Sequence, residues 1–155
     1  MKYEITKATI DDIKRICYFT DFWLAGRGKR IKAPGAVDDY FISPSQHRKY
    51  IIKYTTNIAV MNDEIIAWSV VEPSGTMIHL LVAGNHRGHG IGSKMLRFSN
   101  PVWVRSKSNQ SSGNPASFYE SHGYKKTESV TSQGRLDIDR IKPDRKKIID
   151  IFIKK

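Results

Sequence analysis

Residues 78–92, Ile-His-Leu-Leu-Val-Ala-Gly-Asn-His-Arg-Gly-His-Gly-Ile-Gly, constrain this chain more than any other stretch, because an apolar run passes directly into a basic, glycine-dense turn. The Ser-Lys-Met-Leu-Arg-Phe that follows at 93–98 reads as the first turns of a helix. A strand, a glycine turn and a helix in that order aim several backbone N–H groups at one place, with the positive end of a helix dipole behind them. An anion such as a pyrophosphate is the natural occupant. Side chains at Gly88, Gly90 or Gly92 would forbid the turn's dihedrals or hold the anion away from the backbone.

The chain has 155 residues, 39% of them hydrophobic, which suits one domain over 1–155 with a real core. No charged-then-apolar leader opens it, and no apolar run approaches the ~20 residues that span a bilayer, so a cytoplasmic protein without membrane contact is expected. The single cysteine, Cys17, excludes an intramolecular disulfide and a cysteine-rich metal site. On the apolar face of a predicted helix it reads as a small core residue. The net charge of +11 points to an anionic partner without saying which. Arg27, Lys29, Arg30 and Lys32 form one basic cluster, and Arg145, Lys146 and Lys147 a second that Asp137, Asp139, Asp144 and Asp150 dilute. A solvated surface explains either cluster equally well.

Along the chain the patterning alternates strands and helices. A short strand is expected at 3–6, and Thr9 with Asp11 and Asp12 makes a helix start. Ile13, Ile16, Cys17, Thr20 and Leu24 then recur at helical spacing until Gly26 and Gly28 end the helix. Residues 26–44 read as a long, candidate functional loop, and 45–53 as a second helix with Tyr50 and Ile51 inward. Strands at 56–61 and 65–71 flank a hairpin turn at 62–64; Pro73, Ser74 and Gly75 make the next turn. A strand at 77–83 enters the glycine turn, followed by a helix at 91–99, a strand at 101–104 and a polar loop at 106–113. Asn114-Pro115 opens a helix to His122, with Gly123 as its C-cap. A strand is expected at 124–130. For the last strand 136–141 and 148–153 compete, and 148–153 is favoured.

The element order, the strand ending in Leu80-x-Val82, the turn Arg87-Gly88-His89-Gly90-Ile91-Gly92 and the later Ala116-Ser117-Phe118-Tyr119-Glu120-Ser121-His122-Gly123-Tyr124 together resemble the GNAT superfamily of N-acyltransferases over roughly residues 3 to 130. Rossmann and Walker readings fail on detail, with no acid about 20 residues on in a following strand and no Gly-Lys-Ser/Thr closing the loop. Two departures stand out. Gly84 falls where the family often has proline, and Gly113 where asparagine is frequent, with Asn114 one position on.

The resemblance implies an α/β (α+β) domain whose mixed, mostly antiparallel central sheet is flanked by helices. It implies acetyl-CoA as co-substrate and no metal. Arg87, Gly88, His89, Gly90, Ile91, Gly92 and Ser93 would hold the pyrophosphate, Leu81, Val82 and Ala83 the pantetheine arm and thioester, and Asn114 a further contact. Tyr119 matches the position from which a phenol donates to the CoA sulfur; a core aromatic is the competing reading.

Acyl transfer to an amine needs a neutral amine at the thioester, a stabilised oxyanion and a proton for the departing thiolate. Glu72, His79 and a water chain compete as base. Strand alternation turns His79 away from Leu80 and Val82, which favours a structural histidine. His86 and His89 flank the phosphate turn. On the acceptor side, residues 26–44 with Tyr40, Phe41 and His47 are the place to look. A small amine or amino-sugar, a protein N-terminus or lysine, and a nucleic acid such as charged transfer RNA or a modified base all remain open, as does a non-catalytic CoA- or nucleic-acid-binding module. Monomer and homodimer are both compatible with the sequence.

Overall fold

A computed structural model describes residues 2–25, 41–108, 114–132 and 147–155. Seven strands, β1 (Glu4–Lys7), β2 (Thr55–Met61), β3 (Glu64–Val71), β4 (Thr76–Val82), β5 (Trp103–Lys107), β6 (Tyr124–Ser132) and β7 (Lys147–Lys154), form one sheet in the order β1-β2-β3-β4-β5-β7-β6. Every pairing is antiparallel except that of β4 with β5.

Among the described residues four α-helices cover the sheet: α1 (Ile13–Trp23), α2 (Pro44–Lys53), α3 (Ile91–Ser99) and α4 (Ala116–Ser121). Alternation sorts the core into two faces. Ile16, Phe19, Tyr50 and Ile51 of α1 and α2 pack on Ile58, Trp68, Val70 and Leu81. On the other face, Ile91 and Met95 of α3 meet Ala59, Ile66 and Ala67. Leu96 of α3 and Tyr119 of α4 meet Met77, Val104 and Phe152 there.

Local chemistry sets the helix ends. The Asp12 carboxylate accepts the Thr9 N–H at 2.8 Å in the short 3-10 turn before α1, and Ser43 caps α2 by accepting the Gln46 N–H at 3.2 Å, with Pro44 in the first turn. Asn62 and Asp63, with φ of 51° and 63°, make a two-residue turn between β2 and β3, so Glu64 joins the strand. Helix α1 stops at Trp23, before Gly26 and Gly28, which lie outside the described residues. The loop and basic cluster at 26–40, the competing strand at 136–141 and Arg145 and Lys146 also lie outside them.

The fifth strand differs from expectation. It runs Trp103–Lys107, so Ser106 and Lys107 belong to it and not to a polar loop. Cross-strand partners Asp150 and Ile149 on β7 override the local polarity. The favoured 148–153 strand lies within β7. Cys17 is half-buried, and burial, then the Asp21 carboxylate, pushes its thiol up, which disfavours the thiolate.

Two irregularities place the site. Between β3 and β4 the register slips, Val70 facing His79 but Val71 facing Met77, so Ile78 is an extra residue that bends β4. The parallel pairing of β4 with β5 spans only Thr76 with Trp103 and Met77 with Val104. Beyond that point the strands part, opening one edge of β4.

Candidate active site

The open edge of β4 leads into the glycine turn. Ala83 donates its N–H to Ile66 at 2.8 Å, which directs its backbone groups toward β3. By the alternation of an antiparallel ladder, those of Leu81 and His79 point the same way, and those of Leu80 and Val82 face the gap. The Ala83 carbonyl also accepts the His86 N–H at 2.9 Å. Of the three residues expected to meet the thioester arm, Val82 therefore offers its backbone to the gap, as Leu80 does, while Leu81 and Ala83 bond toward the sheet. Sequence alternation predicts side-chain faces, but which residues hydrogen-bond outward depends on the ladder.

At the turn, Gly88 and Gly90 have φ of +82° and +78°, and a Cβ at either would meet nothing within 4 Å. The glycines are needed for the dihedral and not for space inside the protein. Gly90 caps α3, and the first bond it accepts comes from the Lys94 N–H at 3.1 Å. The amides of Ile91, Gly92 and Ser93 thus precede the first intrahelical bond and can meet an external acceptor. The Ile91 side chain is buried under the sheet, so only its amide can serve. A Cβ on Gly92 would touch Phe118 and Val82 at 3.6 Å. Arg87 is half-buried; its Nε donates to the Val82 carbonyl at 3.3 Å, and burial pushes its pKa down. His89 is exposed on the turn. The open backbone cradle, backed by a helix dipole and arginine, fits a pyrophosphate.

Asn114 spends its side-chain oxygen on the Ala116 N–H at 2.9 Å, at the start of α4. Tyr119 is buried on α4, with its ring 5.2 Å from that of Phe152 and 5.1 Å from that of Phe118. Its phenol is hydrogen-bonded to Ser106, on the part of β5 beyond the parting from β4. Burial pushes the phenol well above its usual range and so keeps it protonated at neutral pH. Tyr124, by contrast, donates to the Pro101 carbonyl at 2.6 Å and holds the chain entering β5.

A family profile described as "Acetyltransferase (GNAT) domain" matches residues 45–126, more than half of the chain and the whole segment that builds this fork, turn and helix. The chain belongs to the GNAT acetyltransferase family. No curated protein sequence matches it. Solved structures show the same fold at low identity. The ribosomal-protein-S18-alanine N-acetyltransferase of Escherichia coli aligns over 99% of this chain and 93% of its own at a TM-score of 0.68 and 10% identity. Arabidopsis thaliana Naa50, in complex with the bisubstrate analogue CoA-Ac-MVNAL, aligns over 100% and 99% at 0.64 and 14%. An N-acetyltransferase of Staphylococcus aureus Mu50 aligns over 99% and 97% at 0.66 and 13%.

Within this GNAT domain the base candidates separate. Glu72 lies in the turn before β4, its N–H bonded to the Thr76 carbonyl, at the end of that strand away from the glycine turn. His79 faces α1 and α2, stacked on Trp68 with centroids 4.8 Å apart and its Nε2 3.5 Å from the Tyr50 phenol. His47 is buried, not exposed to an acceptor; its Nε2 lies 2.9 Å from Thr20 Oγ1. Burial, then the nearby His79, pushes its pKa down to about 3. Three residues at the site escaped the sequence: Ser106, Phe118 and His122. Each reaches the site through a contact between distant segments, which no local pattern encodes.

Proposed function

We propose that this chain, acting as one domain over residues 1–155, transfers the acetyl group of acetyl-CoA to a primary amine by direct attack. The observation that supports this is the fork itself: β4 parts from β5 after Met77, its free edge runs into the glycine turn, and Tyr119 is bonded to Ser106 on the part of β5 beyond the parting. Arg87 and the amides of residues 88–93 hold the pyrophosphate, with His89 at the rim. Leu80 and Val82 pair with the pantetheine arm as an added strand would, and the Val82 amide is suited to polarise the carbonyl. Asn114 shapes the start of α4. The amine nitrogen forms a bond to the carbonyl carbon as the carbon–sulfur bond breaks. Tyr119 gives its proton to the departing sulfur and regains one from solvent, while the amine releases its surplus proton to water. A buried phenol is a weak acid, but the same low-dielectric site also disfavours the departing thiolate, so burial raises the acid and the demand for its proton in the same direction.

A peptide or protein amine is the acceptor class that the fold relatives favour, since one is named for the alanine of a ribosomal protein and another holds a peptide-like analogue. The net charge of +11 supports a second reading, an amino group carried on a nucleic acid. Labelled acetyl-CoA incubated with amines, peptides and transfer RNA distinguishes the classes by where label enters. Tyr119→Phe tests the chemistry: kcat should fall about 100-fold or more, the range of general-acid loss, with CoA affinity nearly intact. Unchanged kcat would remove Tyr119 as the acid. CoA binding with no turnover on any acceptor class would favour a binding module.

A further inference from the structure

His122 ends α4 and reaches across to α3, where its Nε2 lies 2.8 Å from Ser93 Oγ. Its Nδ1 lies 2.7 Å from the Phe118 carbonyl oxygen, which also accepts the Ser121 hydroxyl at 2.8 Å. A carbonyl only accepts, so Nδ1 carries the proton and, in the neutral imidazole, Nε2 is an acceptor. The Ser93 hydroxyl is then the donor in the bond between the two helices. The Phe118 ring, 4.5 Å away by centroid, holds the imidazole in this orientation.

Ser93 stands in the first turn of α3, beside the amides that cradle the anion, and its hydroxyl has one proton to give. Handed to a phosphate oxygen, that proton leaves two lone pairs facing each other 2.8 Å apart. Protonating Nε2 resolves the conflict, because both ring nitrogens then donate, and the anion favours the added charge.

We propose that His122 is a positioning residue of the phosphate site, holding the Ser93 hydroxyl in the free protein and taking up a proton at Nε2 when Ser93 turns to a phosphate of CoA. CoA binding and proton uptake are thereby linked. The proposal rests on the acetyl-CoA reading above. His122 contacts Phe118, Ser121 and Ser93, all uncharged. Of the charged residues around it, Glu120 on α4, Lys94 and Arg97 on α3 and Lys125 on β6 are exposed, and His86, Arg87 and His89 lie on the turn that precedes α3. Because binding then takes up a proton, affinity is highest at low pH and falls by up to about tenfold per pH unit across the range in which that proton is taken up.

Dephospho-CoA is the suitable probe, since its pyrophosphate does not titrate near neutrality. Calorimetry of the full chain in buffers of different ionisation enthalpy should show proton uptake on binding. Its Kd should rise up to about tenfold from pH 6 to pH 8. Both effects should vanish in His122→Gln and in Ser93→Ala and persist in His86→Gln/His89→Gln. On the wild-type protein, the His122 Cε1–H resonance should titrate at higher pH with dephospho-CoA than without it, a readout independent of any variant's folding. Binding with an unmoved His122 titration, or with uptake that disappears in the turn-histidine variant instead, overturns the proposal and leaves the acetyl-CoA reading standing. No binding of CoA or dephospho-CoA overturns both.

Discussion

Acidification should loosen this domain through His47. The imidazole is 1% exposed and its pKa is pushed down to about 3 from 6.5. The unfolded chain binds a proton as the pH falls through 6.5, whereas the native state does so only near 3. Its contribution to stability is therefore complete above 6.5 and is lost on descent through that window, at about 1.4 kcal/mol per pH unit. Between pH 7.5 and pH 5 the loss is about 2 kcal/mol, because pH 5 lies about 1.5 units below the unfolded value. A native value as high as about 4 would leave the figure unchanged, since the native imidazole would still be neutral at pH 5. Against the ~5–15 kcal/mol typical of a domain this is a large share. Urea titrations at both pH values, followed by tryptophan fluorescence, suit the test because Trp68 lies against His47 with ring centroids 5.7 Å apart. His47→Gln, whose amide can still bond Thr20 but does not titrate, should lose about 2 kcal/mol less than wild type over the same interval. Equal losses, to within about 0.5 kcal/mol, would refute the buried neutral histidine.

Other expectations follow from single contacts. Gly90→Ala should cost about 1–2 kcal/mol in thermal or urea unfolding, because the left-handed φ of +78° is strained for alanine though the space is open. Gly92→Ala, in ordinary contact at 3.6 Å and within a helix, should be near neutral for folding; both should weaken CoA in a binding assay. Ser99→Ala should cost about 2–3 kcal/mol, since Asn57 and Ser69, bonded to Ser99 at 3.0 and 2.9 Å, are almost fully buried and lose that partner. If the acceptor or partner is a nucleic acid, affinity should fall steeply with salt, and neutralising Arg27, Lys29 and Arg30 should flatten the dependence; a salt-insensitive or absent interaction removes that reading.

The glycine turn and α3 were legible because they are local: Gly88 and Gly90 mark where the backbone takes a left-handed φ, and the helix that follows has its own period. The strand order was legible only through resemblance, since β5 takes β7 as its second partner and not β6, the strand that follows it in sequence. Ser106 and Lys107 read as loop because polarity is judged locally, and it took a cross-strand partner 42 to 44 residues away to make them strand. The same limit applied to His47, which read as an acceptor-side residue because the Trp68 and Thr20 that bury it lie in other segments.

By itself the sequence determined the family, the glycine turn and the helix behind it, because dihedral need and helical period are carried by neighbouring residues. Only the tertiary structure decided which β4 groups face the gap, that Ser106 meets Tyr119, and that His122 holds Ser93. A bulge at Ile78, a pairing that stops at Met77 and Val104, and contacts across 13 to 29 residues set these. Such features arise when distant segments compete for the same hydrogen bonds and the same volume, which no window of the chain contains.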